Sequence, residues 1–414
     1  MKIKNVHLAP GYSAFYFDDQ AAIKAGARQD GFVYTGAPLT PGFDQVRQCG
    51  ESISIILELA DGQLAEGDCA AVQYSGAGGR DPLFTAERFI PLIRAHLVPR
   101  LIGLDVSRFR DNAASFDALT IGGAALHTAI RYGLSQALLD ATARATGRQK
   151  YQVVADEWAL PQVAAPLALF GQSGDDRYNA VDKMILKQVA ALPHGLINNV
   201  PQKLGETGGK LAEYVSWLCH RIRSLRRSAA YMPDLHIDVY GTVGEIFEND
   251  PDRIADYLTT LEKRAEGFTL YIEGPADAGS KEGQIALLAA IKSALSARRS
   301  AVKIVADEWC NTQADVVDFV DARCCDMVQI KTPDLGSLHN TIDAVLYCKA
   351  QGVEAYQGGT CNETDISARA CLHAAMATRP ERVLVKPGMG FDEGMTIVAN
   401  EMNRILAIGQ RTGA

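Results

Sequence analysis

The chain has 414 residues, a formal net charge of −8, and a composition that is 47% hydrophobic and 22% charged, which is that of an ordinary globular protein. At this length two hydrophobic cores are expected rather than one. Acidic and basic residues are mixed along the chain, which gives no footing for a nucleic-acid or membrane-surface partner, and no apolar run approaches the roughly 20 residues of a membrane span. The nine cysteines include the adjacent pair Cys324 and Cys325 but no CxxC or zinc-ligand spacing. The opening residues Met1 to His7 carry no apolar leader, so reduced thiols and a cytoplasmic location are expected.

Residues 1 to 160 mix strand and helix signals and are expected to form an α+β domain. Ser52 to Leu59 reads as a strand, Asp61-Gly62 as a hairpin turn, and Leu64 to Val72 as the returning strand. Helical periodicity follows, with Phe89, Ile93 and Leu97 on one face and Leu134, Leu138 and Ala141 on another. Gly76-Ala77-Gly78-Gly79 fails the dinucleotide fingerprint because Asp81 stands at the third glycine position. It reads instead as a loop able to close over a site.

From 161 to 414 strand and helix alternate. Short apolar strands are expected at 166–170, 183–187, 235–239, 269–272, 302–306, 327–330, 353–356 and 382–386. Asp250-Pro251 supplies an N-cap and a first-turn proline ahead of the stripe Ile254, Tyr257, Leu258 and Leu261. Ile285, Leu288, Ile291 and Leu295 form a second stripe. Ile342, Val345 and Leu346 form a third, closed by Gly352. Eight strands in this length fit an α/β fold of the (β/α)8 (TIM-type) barrel kind. A doubly wound open sheet is the structural competitor.

The polar residues favour the barrel. Three apolar strands end in a carboxylate, at Asp238, Glu273 and Asp307, with gaps of 35 and 34 residues. Each gap is one βα unit, which sets the three acids side by side at the C-terminal rim where barrel enzymes do their chemistry. A single acid at a strand end is usually a helix cap or a surface ion-pair partner, but three at equal spacing repel one another unless a cation intervenes. Oxygen donors alone select a hard ion such as Mg²⁺ or Mn²⁺. The next strand ends in Lys331, which shares a strand face with Gln329. Burial beside a dication would lower its pKa and make it a general base. His194 after Pro193 would by itself be a surface histidine, Lys183 and Lys187 are candidate rim residues, and the remaining histidines read as structural.

The stretches 170–173 (Phe-Gly-Gln-Ser), 192–199 (Leu-Pro-His-Gly-Leu-Ile-Asn-Asn), 329–336 (Gln-Ile-Lys-Thr-Pro-Asp-Leu-Gly) and 358–364 (Gly-Gly-Thr-Cys-Asn-Glu-Thr) resemble the methylaspartate ammonia-lyases of the enolase superfamily, over essentially the whole chain. The resemblance implies a modified (β/α)8 barrel with an N-terminal α+β capping domain. It implies Mg²⁺ on Asp238, Glu273 and Asp307, holding the C4 carboxylate of an amino dicarboxylate substrate and stabilising the enediolate. Lys331 would take the C3 proton of L-threo-3-methylaspartate, with His194 on the opposite face serving the other C3 epimer or the leaving amine. Gln172, Gln329, Thr360 and the Cys361 backbone would anchor the carboxylates and the amine, while Phe170, Tyr356 and Leu384 shape the space around the methyl group. The products would be mesaconate and ammonia, within glutamate fermentation via methylaspartate. A homodimer and K⁺ as an activator are implied by the same likeness. The alternatives are another superfamily reaction, an acid-sugar dehydratase, racemase or cycloisomerase, or a metal-bound barrel kept as a non-catalytic scaffold.

Overall fold

A computed structural model describes residues 1–77, 79–162 and 165–409. The chain opens on a three-stranded antiparallel sheet, in which β2 (Arg47–Leu59) lies between β1 (Ile3–Asp18) and β3 (Leu64–Cys69). In β2, Ile53, Ile55, Leu57 and Leu59 are fully buried and alternate with less buried neighbours, the period-two pattern that turns one sheet face to a core. The turn at Asp61-Gly62 uses Gly62 at φ +87°. β3 stops at Cys69, short of the expected Val72. β1 has no counterpart in the sequence reading. Its burial is irregular, and register shifts between Ile3 and Asn5 and between Tyr12 and Tyr16 break the alternation.

The helices α1 (Ala86–His96) and α2 (Thr128–Thr146) follow. α2 lies so close to the sheet that a Cβ at Gly67 or Gly133 would overlap the facing backbone. Gln136 on α2 then acts in place of a neighbouring strand. Its side chain accepts from the Asp68 N–H and donates to the Asp68 C=O, both at 3.1 Å.

Eight parallel strands form a closed barrel: β4 (Leu169–Phe170), β5 (Ala191–His194), β6 (Asp234–Asp238), β7 (Leu270–Glu273), β8 (Lys303–Ala306), β9 (Met327–Ile330), β10 (Glu354–Gln357) and β11 (Arg382–Leu384). β11 pairs back onto β4, and β5 joins β4 to β6, so the open-sheet alternative is excluded. Helices α4 (Pro251–Arg264), α5 (Lys281–Ala297) and α6 (Leu338–Ala350) carry the three stripes read from the sequence. Asp250 caps α4 by accepting from the N–H groups of Asp252 and Arg253 at 2.9 and 3.0 Å.

One expected strand is wrong. Residues 183–187 fall on and just after the helix α3 (Asn179–Leu186), with Val181, Met184 and Ile185 buried at helical spacing. The true second strand is β5, which the proline at 193 disguised. Lys183 and Lys187 are therefore not at the rim. Both are on the barrel's outer surface, ion-paired to Asp392 at 2.8 and 2.6 Å. Gly78, in the glycine-rich stretch expected to close over a site, lies outside the described residues.

Candidate active site

The barrel's C-terminal rim holds a cavity of about 120 Å³, roofed by Val72, Gln73, Tyr74 and Arg80 from the N-terminal domain. Each strand delivers its polar residue at or just beyond its end. Asp238 and Glu273 are the last residues of β6 and β7 and sit in register with each other. Asp307 follows β8, Lys331 follows β9, and His194 closes β5. His194 (φ +64°), Tyr240 (φ +50°) and Trp309 (φ +66°) all take left-handed backbone at or just past strand ends. Non-glycine residues rarely do so, and such strain collects where side chains must be aimed.

Of the residues singled out in the sequence, Gln172, His194, Asp238, Asp307, Gln329 and Lys331 line the cavity. So do Thr360, Cys361 and Leu384. Phe170, Glu273 and Tyr356 do not form its wall. They are fully buried in the layer beneath, where Phe170 and Tyr356 pack with Ala191, Tyr271, Val305, Met327 and Leu384. Tyr356 donates its hydroxyl to Glu273, 2.8 Å from both carboxylate oxygens. It is thus placed as a support for an acid, whereas the resemblance assigned it to the methyl group.

Among the described residues, the ligand atoms of His194, Asp238 and Glu273 lie within 4.8 Å of one another. Burial, and then the charge of Asp307, pushes the Asp238 carboxyl well above the usual range. Burial, followed by the charges of Asp238 and Asp307, does the same to Glu273. Neither pairs with a lysine or arginine among the described residues; their nearest basic groups are the histidines at 194 and 236. Two dry carboxylates that repel each other, with a third acid bearing on both, fit a hard dication.

Asp307 faces Lys331, Oδ1 to Nζ 2.7 Å. Burial lowers the lysine pKa, but Asp307 and Glu308 outweigh it and hold the ammonium above the ordinary lysine range. The lowering expected from the sequence belongs to the state with a dication bound, whereas here the acid after β8 faces the amine directly. Burial, aided by Lys331, brings the His194 ring down to about 4, so it is a neutral imidazole. Burial pushes the Cys361 thiol up to about 12, which removes it as a nucleophile and leaves it as wall.

The glutamines have their amide nitrogens committed. Gln172 Nε2 donates to the Gly388 and Val385 carbonyls at 2.7 and 3.3 Å. Gln329 Nε2 donates to Glu273 Oε1 at 2.7 Å and to the Tyr356 hydroxyl, and its buried Oε1 has no protein partner. Sequence reasoning missed the roof residues and Tyr240. Arg80 reaches across from the N-terminal domain to Asp334 at 3.0 Å and Glu308 at 3.7 Å, a long-range pairing with no local signal.

The profile of the methylaspartate ammonia-lyase N-terminus matches residues 1–159, and that of the methylaspartate ammonia-lyase C-terminus matches residues 161–411. The chain belongs to the methylaspartate ammonia-lyase family. It is 65% identical over 410 residues to the Citrobacter amalonaticus methylaspartate ammonia-lyase, covering 99% of each chain. A solved structure of the Citrobacter enzyme containing (2S,3S)-3-methylaspartic acid superposes with a TM-score of 0.98 over 99% of this chain and 100% of that one. The β-methylaspartase of Clostridium tetanomorphum, solved as a Mg complex, is 54% identical with a TM-score of 0.96, covering 99% of this chain and 100% of that one. The L-Ala-D/L-Glu epimerase of Bacillus subtilis, 17% identical with a TM-score of 0.65 over 95% of this chain and 91% of that one, shares the fold. The chain is thus a carbon–nitrogen lyase by family, and no helix among its described residues is long and apolar enough to cross a membrane.

Proposed function

We propose that the chain eliminates ammonia from L-threo-3-methylaspartate to give mesaconate, with Lys331 as the base. The observation that carries this reading is that Lys331 directly follows β9 and His194 ends β5, strands four apart in a ring of eight. They face the cavity from opposite sides, with the acids along one arc between them. Family membership favours this reaction over the acid-sugar and racemase alternatives, and a neutral histidine and buried lysine at one cavity are more than a scaffold needs.

Lys331 takes the C3 proton on Nζ as the free amine, having first lost its own ammonium proton to solvent, a loss that is favoured when a cation draws Asp307 away from it. The electrons of the C3–H bond become the C2–C3 double bond. The C2–N bond breaks, and the substrate ammonium leaves as ammonia with that bond's pair. Asp238, Glu273 and Asp307 would hold Mg²⁺ beside the C4 carboxylate, with His194 within reach of the same ion. When bound, the dication offsets the charge that develops on that carboxylate as the proton leaves.

Gln172 and Gln329, with their nitrogens occupied, present carbonyl oxygens suited to the ammonium group. The Thr360 hydroxyl and the Cys361 N–H are the donors suited to a carboxylate. Leu384 is the apolar contact for the methyl group, backed by Phe170 and Tyr356. His194, neutral and opposite, serves the other C3 epimer or the leaving amine. The same reading takes in Mn²⁺ as a substitute metal, K⁺ as an activator, a homodimer, a cytoplasmic location and glutamate degradation. It also takes residues 1–160 as the capping domain and 161–414 as the catalytic barrel.

The test is Lys331→Ala, followed by the ultraviolet absorbance of the conjugated diacid. General-base catalysis contributes about 10²- to 10⁴-fold, so turnover should fall by that much while Mg²⁺ affinity is retained. Near-normal turnover of the threo substrate refutes the assignment.

A further inference from the structure

We propose that His236 is a positioning residue that aims Glu273, and thereby sets the affinity of the site for a divalent cation. The inference rests on the metal reading of Asp238, Glu273 and Asp307. His236 lies on β6, two residues before Asp238, and is fully buried. Its ring is stacked between Phe170, with centroids 4.4 Å apart, and Tyr271 at 5.6 Å, and Tyr356 meets it edge-on at 5.1 Å. The ring has no freedom to turn.

Its Nε2 is 2.7 Å from Glu273 Oε2. Once Glu273 is ionised to take a cation it offers no proton, so Nε2 then carries the hydrogen and donates it. Nδ1 is buried with no partner, and as the bare lone pair of the neutral ring it is tolerable there. A histidine kept only for packing would be replaced at lower cost by an apolar ring, because the rings of Phe170, Tyr271 and Tyr356 surround it and a buried polar atom is costly. The one partner that justifies it is the acid.

The hydrogen-bond inventory of Glu273 shows what the donation does. A carboxylate has about four lone-pair positions. His236 fills one on Oε2, Gln329 fills one on Oε1 at 2.7 Å, and the single Tyr356 proton fills a third. One position is left, and three donors from β6, β9 and β10 fix the plane in which it lies. Turning the carboxylate would break several of these bonds together, so the acid is held at a fixed angle, from which it would offer its remaining lone pair to a cation.

The experiment is calorimetric titration of the full-length protein with MgCl₂ alone, without substrate, for wild type, His236→Phe and His236→Gln. Loss of a partner that orients a metal ligand costs about 10- to 100-fold in affinity. His236→Phe should raise the Mg²⁺ Kd by that factor at unchanged stoichiometry, and His236→Gln, which keeps a donor, should recover part of it. An unchanged Kd in folded His236→Phe, or a fall in stoichiometry with the Kd preserved, overturns the proposal in favour of a packing role. If His236→Phe does not fold, Tyr356→Phe removes a donor to the same acid, and an unchanged Kd there also overturns it. Absence of Mg²⁺ binding by the wild type would instead overturn the metal reading, and this inference with it.

Discussion

Lys386→Met should destabilise the protein by about 3–5 kcal/mol, although the residue lies outside the reacting groups. Lys386 is 1% exposed and Glu363 0% exposed, and their charged atoms are 2.6 Å apart. The ammonium's three hydrogens go to Glu363 Oε1, the Gly358 carbonyl at 2.7 Å and Thr332 Oγ1 at 2.9 Å. Glu363 also accepts from Thr332 at 2.8 Å, from Tyr132 of α2 at 2.7 Å, and from Ser367 at 2.9 Å. With an effective dielectric constant of about 20, charges this close attract by about 6 kcal/mol before desolvation is set against it. Methionine keeps the volume, so the cavity contribution is small, and the cost is that of stranding a buried carboxylate. That is about a fifth or more of a typical folding free energy. Urea unfolding followed by tryptophan fluorescence measures it. The double variant Lys386→Met/Glu363→Gln should cost clearly less than the sum of the two single changes, since each alone leaves a polar group without its partner. If Lys386→Met lies within about 1 kcal/mol of wild type, or the two changes simply add, the pair is not the closed network described and the reasoning fails.

His127 caps α2 as a neutral ring, with Nδ1 accepting from the Ala129 N–H at 3.0 Å and Nε2 donating to the Pro82 carbonyl at 2.8 Å. Burial, opposed by Asp81, holds it below the ordinary histidine value of 6.5. Below that value the unfolded chain binds a proton that the native ring refuses, so its contribution is intact above 6.5 and is lost as pH falls, by up to about 1.4 kcal/mol per pH unit, until the native ring titrates. Urea unfolding at stepped pH should therefore give His127→Asn a shallower acid slope than wild type, and identical slopes would refute the neutral cap. Lys183→Ala and Lys187→Ala should leave turnover unchanged, because α3 carries both lysines on the outer surface against Asp392. A tenfold loss in kcat from either would put that helix back among the rim elements.

The barrel was legible because its strands are short, apolar and punctuated by chemistry. Asp238, Glu273 and Lys331 could be found at strand ends because parallel strands buried on both faces read as continuous apolar runs, and a charge at the end of such a run stands out. β5 broke that rule. Its sequence, Ala191-Leu192-Pro193-His194, has one apolar branched residue and a proline, while the nearby Met184-Ile185-Leu186 looks like a strand between two lysines. A window that short cannot separate a strand from two turns of helix by periodicity alone. The histidine that ends β5 was therefore found through its flanking motif and not through its strand.

What the sequence could not carry was pairing between groups far apart in the chain. His236 looks like any core residue in Leu235-His236-Ile237 until Glu273 is seen 2.7 Å away. Arg80 and Asp334 are 254 positions apart, and Lys386 finds Glu363 only because β10 and β11 are neighbours. Each acid read from the sequence was read as a donor to an ion, with its remaining lone pairs unassigned. The structure divides the three by what else they touch. Glu273 is held by His236, Gln329 and Tyr356, Asp238 accepts from the Tyr240 N–H at 2.9 Å, and Asp307 is engaged by the lysine. Equal spacing in the chain therefore concealed unequal roles. Two of the acids are held by neutral donors, and the third is tied to the charge of Lys331. On the present reading, Asp307 is the acid through which cation binding and release of the base are coupled.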